Sequence, residues 1–257
     1  LRAVAATALP CTTTPHVVPY GADARQFGVL RVPAGPGPHP VAVIIHGGCW
    51  LNTFTLDLMD AASAALTAAG LATWNIEYRR LGDPGGGYPQ TFTDVGRAID
   101  TVRDLAHQCP LDLGKVLTVG HSAGGHLGVW AAARSRLPLG HPLRGTDPLP
   151  LTAVVALAGV LDLAESVTHT ACGPRAAQLL GGSPAQVPAR YAVTSPSALV
   201  PLGIRQLLIH GTADTLVPLA VSQQYQQQAR AAGDHAVQLL TIPQGDHFTL
   251  ITPSSPQ

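Results

Sequence analysis

The sequence predicts an α/β protein with a doubly wound, mostly parallel β-sheet and helices on both faces. Short apolar, β-branched runs, typical of strands buried on both faces, alternate with segments whose apolar residues recur at helical spacing. The 23 prolines fall mainly between these segments and support their boundaries. Because strands that alternate with helices form βαβ units, the strands should run parallel.

The expected elements can be placed in order along the chain. The run PVAVIIHGG predicts a buried strand, and the helical periodicity that follows ends at Gly70, a favourable residue for a helix C-terminus. The predicted strands are 41–46, 71–78, 115–119, 153–157, 206–210 and 237–242. The predicted helices are 56–69, 94–107, 123–134 and 219–232.

Three segments interrupt this alternation. They are a Gly/Pro-rich loop over 81–91, a proline-rich stretch over 137–150, and the segment 164–202. The last contains a short helical piece near 176–180 and is a candidate lid over the sheet. A chain of 257 residues with this pattern commonly forms one domain, which we expect over 17–257 after an N-terminal extension over 1–16.

Composition narrows the class of partner. Charged residues are 12% of the chain, acidic and basic groups balance at 15 each, and Lys115 is the sole lysine, so we expect neither a nucleic-acid nor a membrane partner. Apolar runs are far shorter than the roughly 20 residues of a membrane span, which predicts a soluble protein. The opening LRAVAATALP resembles either the remnant of a signal sequence or a disordered start, and we slightly favour the cytoplasm over export.

The four cysteines, Cys11, Cys49, Cys109 and Cys172, are widely spaced and form no C-x-x-C pair. This spacing argues against a zinc site or a thioredoxin-like motif. We expect free, mostly buried thiols, whereas an exported protein would leave three disulfide pairings open.

The stretch VLTVGHSAGGHLGVWAAA contains a G-x-S-x-G pattern centred on Ser122. A predicted strand precedes the pattern and a predicted helix follows it, which is the context of a nucleophile elbow. Such a turn is sharp, and side chains at Gly120 or Gly124 would collide with their neighbours. We therefore expect Ser122 to be a nucleophile.

A serine nucleophile needs a histidine base and a carboxylate that orients it. In parallel α/β proteins active groups follow the carboxyl ends of strands. Asp214 follows one predicted strand and His247 follows the last, which gives the order Ser, Asp, His. Asp246 is the main rival acid, and Asp162 is a weaker one.

The segment HGGCW, directly after the first predicted strand, is a candidate oxyanion loop. Its glycines allow close approach of the backbone, and the N–H groups of Gly48, Cys49 and Ala123 are the candidate donors. His121 and His126 fit no metal motif, and the Gly85–Gly87 run lacks the Lys-Ser/Thr of a phosphate loop. We expect no metal and no cofactor.

The charged residues after the second predicted strand, Glu77, Arg79 and Arg80, have two interpretations. They are within reach of a substrate bound beyond the strand end, but a structural ion pair is favoured over a substrate contact for such a cluster.

Together HGGCW, GHSAGGHLG, HGTADTLVP and GDHFTLI resemble the α/β-hydrolase superfamily, in particular its esterase branch with an H-G-G-x-W loop. That branch includes kynurenine formamidases and feruloyl-esterase-like (BD-FAE) proteins. The resemblance extends over about 17–251 and implies a cofactor-independent serine hydrolase acting on small esters or on activated amides such as N-formyl arylamines. It assigns the same nucleophile, acid, base and oxyanion donors as the residues themselves.

Two other functions remain open at this point. The first is a peptidase resembling the prolyl-oligopeptidase catalytic domain, although no charged anchor for a peptide terminus is evident. The second is a hydrolase-fold protein that only binds a ligand, which would be free to lose members of the Ser122, Asp214 and His247 set. Substrate identity, oligomeric state and compartment do not follow from the sequence.

Overall fold

The computed structural model describes residues 9–252, within which one eight-stranded sheet forms the centre of the molecule. The strands are β1 (His16–Pro19), β2 (Phe27–Arg31), β3 (His39–Ile45), β4 (Ala72–Ile76), β5 (Leu111–His121), β6 (Ala153–Leu157), β7 (Arg205–Gly211) and β8 (Val237–Ile242). The first eight residues of the expected N-terminal extension lie outside the described range.

The helices are α1 (Asp60–Ala68), α2 (Gln90–Asp100), α3 (Val102–Ala106), α4 (Ala123–Ala133), α5 (Leu163–His169), α6 (Gly173–Leu180), α7 (Pro188–Thr194) and α8 (Leu219–Ala231). Short 3₁₀ helices lie at Leu56–Met59, Arg134–Arg136 and Pro196–Leu199. No described helix is long and apolar enough to cross a membrane.

The order of strands across the sheet is β1-β2-β4-β3-β5-β6-β7-β8. Six of these strands, β4-β3-β5-β6-β7-β8, pair with one another in parallel, which confirms the predicted, mostly parallel sheet. The first two strands pair antiparallel at one edge and were not predicted. Strand β1 is a four-residue edge strand, and β2 contains Gly28, which a sequence pattern reads as a strand breaker. In the fold, a Cβ at Gly28 would lie only 2.6 Å from the Trp74 ring.

Both faces of the sheet are covered, as the central strand β3 shows. Val41, Val43 and Ile45 pack into the larger core with residues of α2, α3 and α4. Ala42 and Ile44 point to the opposite side, where they join a smaller cluster with Met59 and residues of α1. This two-sided burial explains why the strand is an uninterrupted apolar run rather than an alternating one.

Two helical predictions need correction. The helix predicted over 94–107 begins four residues earlier and is divided into α2 and α3. The segment 158–204, here called the β6–β7 segment, contains α5, α6 and α7, where the sequence predicted one short piece. Prolines stand at the N-terminal turns of α6 and α7, where a missing N–H costs no helical hydrogen bond. Because proline reads as a helix breaker in a sequence pattern, α7 escapes prediction and only the C-terminal part of α6, near 176–180, is predicted.

The expectation of free thiols is wrong, because the four cysteines form two disulfides. Cys11 pairs with Cys109 and Cys49 pairs with Cys172, with Cα–Cα distances of 5.5 and 5.2 Å. The partners are 98 and 123 residues apart in sequence, so only the folded topology brings them together.

Candidate active site

Ser122 occupies the sharp turn between β5 and α4. Its backbone has φ 56° and ψ −119°, a conformation that non-glycine residues rarely adopt. A Cβ at Gly120 would lie 2.1 Å from the Gly124 carbonyl oxygen, and a Cβ at Gly124 would lie 2.0 Å from the Ile45 carbonyl oxygen. The two glycines of the motif are therefore required, because the chain folds back closely on itself at Gly120 and passes close to β3 at Gly124.

Asp214 and His247 come from the loops after β7 and β8 and meet beside this turn. The two side chains are joined by a hydrogen bond of 2.7 Å between His247 Nδ1 and Asp214 Oδ2. The other carboxylate oxygen, Oδ1, accepts the N–H groups of Leu216 and Val217 at 2.9 Å each. These contacts fix the carboxylate so that it holds the imidazole in one orientation.

His210 lies beside the same carboxylate. Its Nε2 lies 3.4 Å from Asp214 Oδ2 and donates to the Val217 carbonyl at 2.8 Å, while Nδ1 bonds to Ser222 Oγ at 2.8 Å. Burial by itself raises the pKa of Asp214, but hydrogen bonds from His210, His247 and the Val217 N–H outweigh it and hold that pKa well below its usual range. Asp214 is therefore a stable carboxylate at neutral pH.

His121, next to the serine, packs against His247. The two rings are 4.6 Å apart, and His121 Nε2 donates to the His247 carbonyl oxygen at 2.9 Å. Burial, assisted by the nearby His247, lowers the pKa of His121 to about 4, so the ring is neutral at pH 7. A neutral His121 positions the His247 backbone without adding a competing positive charge.

The HGGCW loop has an unusual backbone. Gly48, Cys49 and Trp50 have φ values of 104°, 50° and 56°, so two consecutive non-glycine residues lie in the left-handed region. This conformation costs about 1–2 kcal/mol per non-glycine residue and persists where surrounding contacts enforce it. Among the described residues, the N–H groups of Gly48, Cys49 and Ala123 have no protein acceptor, which leaves them available to a ligand.

A buried charged network supports the start of this loop. Glu77 accepts from His46 Nε2 at 2.9 Å and pairs with Arg80 at 2.8 Å, and Arg80 also donates to the Phe54 carbonyl. Arg79 pairs separately with Asp94 at 2.7 Å. The favoured interpretation of this cluster as structural ion pairs is confirmed.

Ser122 and His247 line one pocket of about 120 Å³. Most of its remaining wall is apolar and comes from side chains that the sequence did not single out: Leu51, Phe54, Leu58, Leu216, Val217 and Phe248. Gly48, His121, Ala171 and the Cys49–Cys172 disulfide complete the wall. These residues come from segments far apart in sequence, and although some of them stand within the HGGCW, HGTADTLVP and GDHFTLI motifs, nothing in those motifs marks them as pocket residues.

The rival acids lie elsewhere. Asp246 is exposed and accepts hydrogen bonds from Phe248 and Thr249, and Asp162 caps the N-terminus of α5. Within residues 9–252, no group of His, Cys, Asp or Glu side chains is arranged to hold a metal ion.

Curated relatives and a solved structure resemble the chain over most of its length. Esterase LipQ of Mycobacterium tuberculosis is 26% identical over 237 residues, covering 90% of this chain and 56% of LipQ. Esterase LipC of the same organism is 26% identical over 241 residues, covering 89% and 58%. This chain thus spans a little over half the length of these relatives. A truncated carbohydrate esterase from gut microbiota shares the fold with a TM-score of 0.77 and 24% identity, covering 92% of this chain and 90% of that one.

A family model matches most of the chain, which is a much longer stretch than any single motif. The BD-FAE model matches residues 30–229, which run from the end of β2 through most of α8 and carry both the HGGCW loop and the serine turn. The solved esterase structure supports the α/β-hydrolase fold independently of that match. The chain therefore belongs to the BD-FAE family of the α/β-hydrolase superfamily.

Proposed function

We propose that this protein is a serine esterase that cleaves small carboxylic esters, with Ser122 as nucleophile, His247 as base and Asp214 as the orienting acid. One observation carries the proposal. A serine in a strained strand-to-helix turn shares a pocket with a histidine whose Nδ1 bonds at 2.7 Å to a buried carboxylate. This arrangement activates a hydroxyl that is otherwise a poor nucleophile.

The reaction proceeds in two halves. As Ser122 Oγ attacks the ester carbonyl carbon, His247 takes the hydroxyl proton, and the N–H groups of Gly48, Cys49 and Ala123 stabilise the negative oxygen. The carbon–oxygen bond to the alcohol then breaks, and His247 returns the proton to the leaving alkoxide. Water attacks the acyl-Ser122 with His247 again as base, which releases the carboxylic acid and restores the serine.

The relatives support ester over amide substrates, because LipQ, LipC and the gut carbohydrate esterase are all named as esterases. The pocket supports a short, uncharged acyl group, since it is small and mostly apolar. A pocket of this size also admits a formyl group, so N-formyl arylamines are a second candidate substrate class for the same machinery.

The two alternative functions have less support. Apart from His121 and His247, no titratable side chain among the described residues lines the pocket, so nothing there would anchor a charged peptide terminus. A protein that only binds ligands has no need for the hydrogen bond between His247 and Asp214 or for a strained turn at Ser122.

Hydrolysis of p-nitrophenyl acetate by matched variants tests the proposal. Ser122→Ala should lower kcat at least about 10³-fold, because the nucleophile is lost while the fold is kept. Ser135→Ala, which changes an exposed serine in a 3₁₀ helix, should leave kcat unchanged. Turnover by Ser122→Ala at the wild-type rate would reject the proposed nucleophile.

We also propose that the protein works in an oxidising environment, against the slight preference for the cytoplasm that the sequence suggested. Two disulfides between cysteines that are distant in sequence are typical of compartments where thiols are oxidised.

A further inference from the structure

One disulfide lies in the wall of the Ser122 pocket. Cys49 belongs to the HGGCW loop, whose N–H groups face the developing negative charge in the proposed reaction, and Cys172 lies just before α6 in the β6–β7 segment. Both residues line the pocket together with Ser122 and His247. The second disulfide, Cys11–Cys109, contributes no residue to that pocket.

At Cys49, one of the two residues of this disulfide, the backbone is strained. Cys49 has φ 50°, and the next residue, Trp50, has φ 56°. Trp50 is fully buried, and its indole N–H donates to His126 Nδ1, whose Nε2 in turn donates to the Thr194 carbonyl in α7. The loop is therefore attached to the β6–β7 segment twice, through the disulfide and through this pair of hydrogen bonds.

The Cys172 end is attached to the loop that carries the acid. The N–H of Ala171 donates to the Leu216 carbonyl at 2.8 Å, and the N–H groups of Leu216 and Val217 donate to Asp214. A continuous path thus runs from the oxyanion loop through the disulfide to the acid loop. Cutting the bond would leave the left-handed Cys49 free to relax, which would rotate its N–H out of the pocket.

We propose that the Cys49–Cys172 disulfide is a positioning element that holds the Gly48 and Cys49 N–H groups in their catalytic orientation, so that turnover depends on this bond. The inference rests on the proposed esterase function, because it assigns Cys172 a role in the same site. Cys172 itself touches no reacting atom of the proposed reaction and acts through Cys49.

Chemical reduction breaks the Cys49–Cys172 bond reversibly. A dithiol such as dithiothreitol gives two electrons and two protons to the disulfide, which becomes the two thiols of Cys49 and Cys172, while the dithiol closes into its own cyclic disulfide. Reoxidation restores the bond. The expected consequence is a reversible fall in kcat with a smaller change in KM, since the donors act mainly on the charge of the transition state.

The chain provides its own matched control, because it has four cysteines in two separate bonds. The variant Cys11→Ala with Cys109→Ala keeps only the pocket disulfide, and the variant Cys49→Ala with Cys172→Ala keeps only the remote one. Each variant is assayed with p-nitrophenyl acetate before reduction, after reduction by dithiothreitol and after reoxidation. Thiol alkylation and peptide mass mapping on parallel samples verify the bond state, and circular dichroism verifies folding.

In the variant that keeps the pocket disulfide, we expect near-wild-type kcat, a fall of about tenfold or more on reduction and recovery on reoxidation. In the other variant, kcat should be low from the start and should not respond to reduction. If that variant fails to fold, the fall in kcat on reduction and its recovery on reoxidation in the first variant still test whether turnover depends on the pocket disulfide. Full kcat with the pocket bond verified as reduced would overturn this inference alone. Absence of any turnover by oxidised wild-type protein would reject the proposed function and this inference with it.

Discussion

At the scale of single residues, the proposed acid shows how burial and hydrogen bonding combine. Asp214 is buried, yet it accepts from two backbone N–H groups and from His247, with His210 beside it. The sequence could nominate Ser122, Asp214 and His247 as candidates for the proposed site, because each follows a recognisable strand and they occur in a known order. It could not predict His210 as a support, since a histidine inside a strand carries no pattern of its own.

The lowered pKa of Asp214 has a consequence for stability. The pKa of Asp214 is lower in the folded state than in the unfolded state, where an aspartate has a pKa of about 3.9. Its ionised carboxylate therefore stabilises the fold at pH values above about 3.9. This contribution is lost as pH falls toward the folded-state value. The difference in free energy of unfolding between wild type and Asp214→Asn should therefore be larger at pH 6 than at pH 3, as measured by urea denaturation. A difference that stays constant over this range would contradict the assigned pKa shift.

At the scale of elements, the turn from β5 into α4 is the part of the fold most completely encoded by local sequence. An apolar strand, two glycines around a serine and a following apolar helix predicted it, and the structure has it with α4 over Ala123–Ala133. The helices α5 and α7, the edge strand β1 and its neighbour β2 escaped prediction. All four elements are short, and β1, β2 and α7 also contain Pro or Gly, so they acquire structure through packing against the rest of the chain rather than through their own periodicity.

The steric role of the first motif glycine can be measured. Gly120→Ala places a methyl group 2.1 Å from the Gly124 carbonyl oxygen, and we expect it to lower the free energy of unfolding by about 3 kcal/mol or more. Gly140→Ala is a matched control, because Gly140 has φ 81° but open space around it. That substitution should cost only about 1 kcal/mol. Equal losses for the two variants in denaturant titrations would show that the turn has room for a methyl group at Gly120.

At the scale of the whole molecule, the site is assembled from parts of the chain that are far apart. The HGGCW loop, the serine turn, the β6–β7 segment and the loops after β7 and β8 all contribute to one pocket wall. The disulfide between Cys49 and Cys172 joins residues separated by 123 positions, and this pairing depends on strand order that no local pattern reveals. For the same reason, the sequence predicted the proposed reacting groups but not the apolar residues that surround them.

The most direct test of the proposed esterase is the reaction of the folded protein with a fluorophosphonate probe, followed by intact-mass measurement and peptide mapping. Such a probe labels a serine that is activated by a base and an oxyanion hole. We expect a single adduct on Ser122 in wild type and in Ser135→Ala, and no adduct in His247→Ala under the same conditions. A folded wild-type protein that stays unlabelled, or that is labelled at another serine, would contradict the assignment of Ser122 and His247 as nucleophile and base.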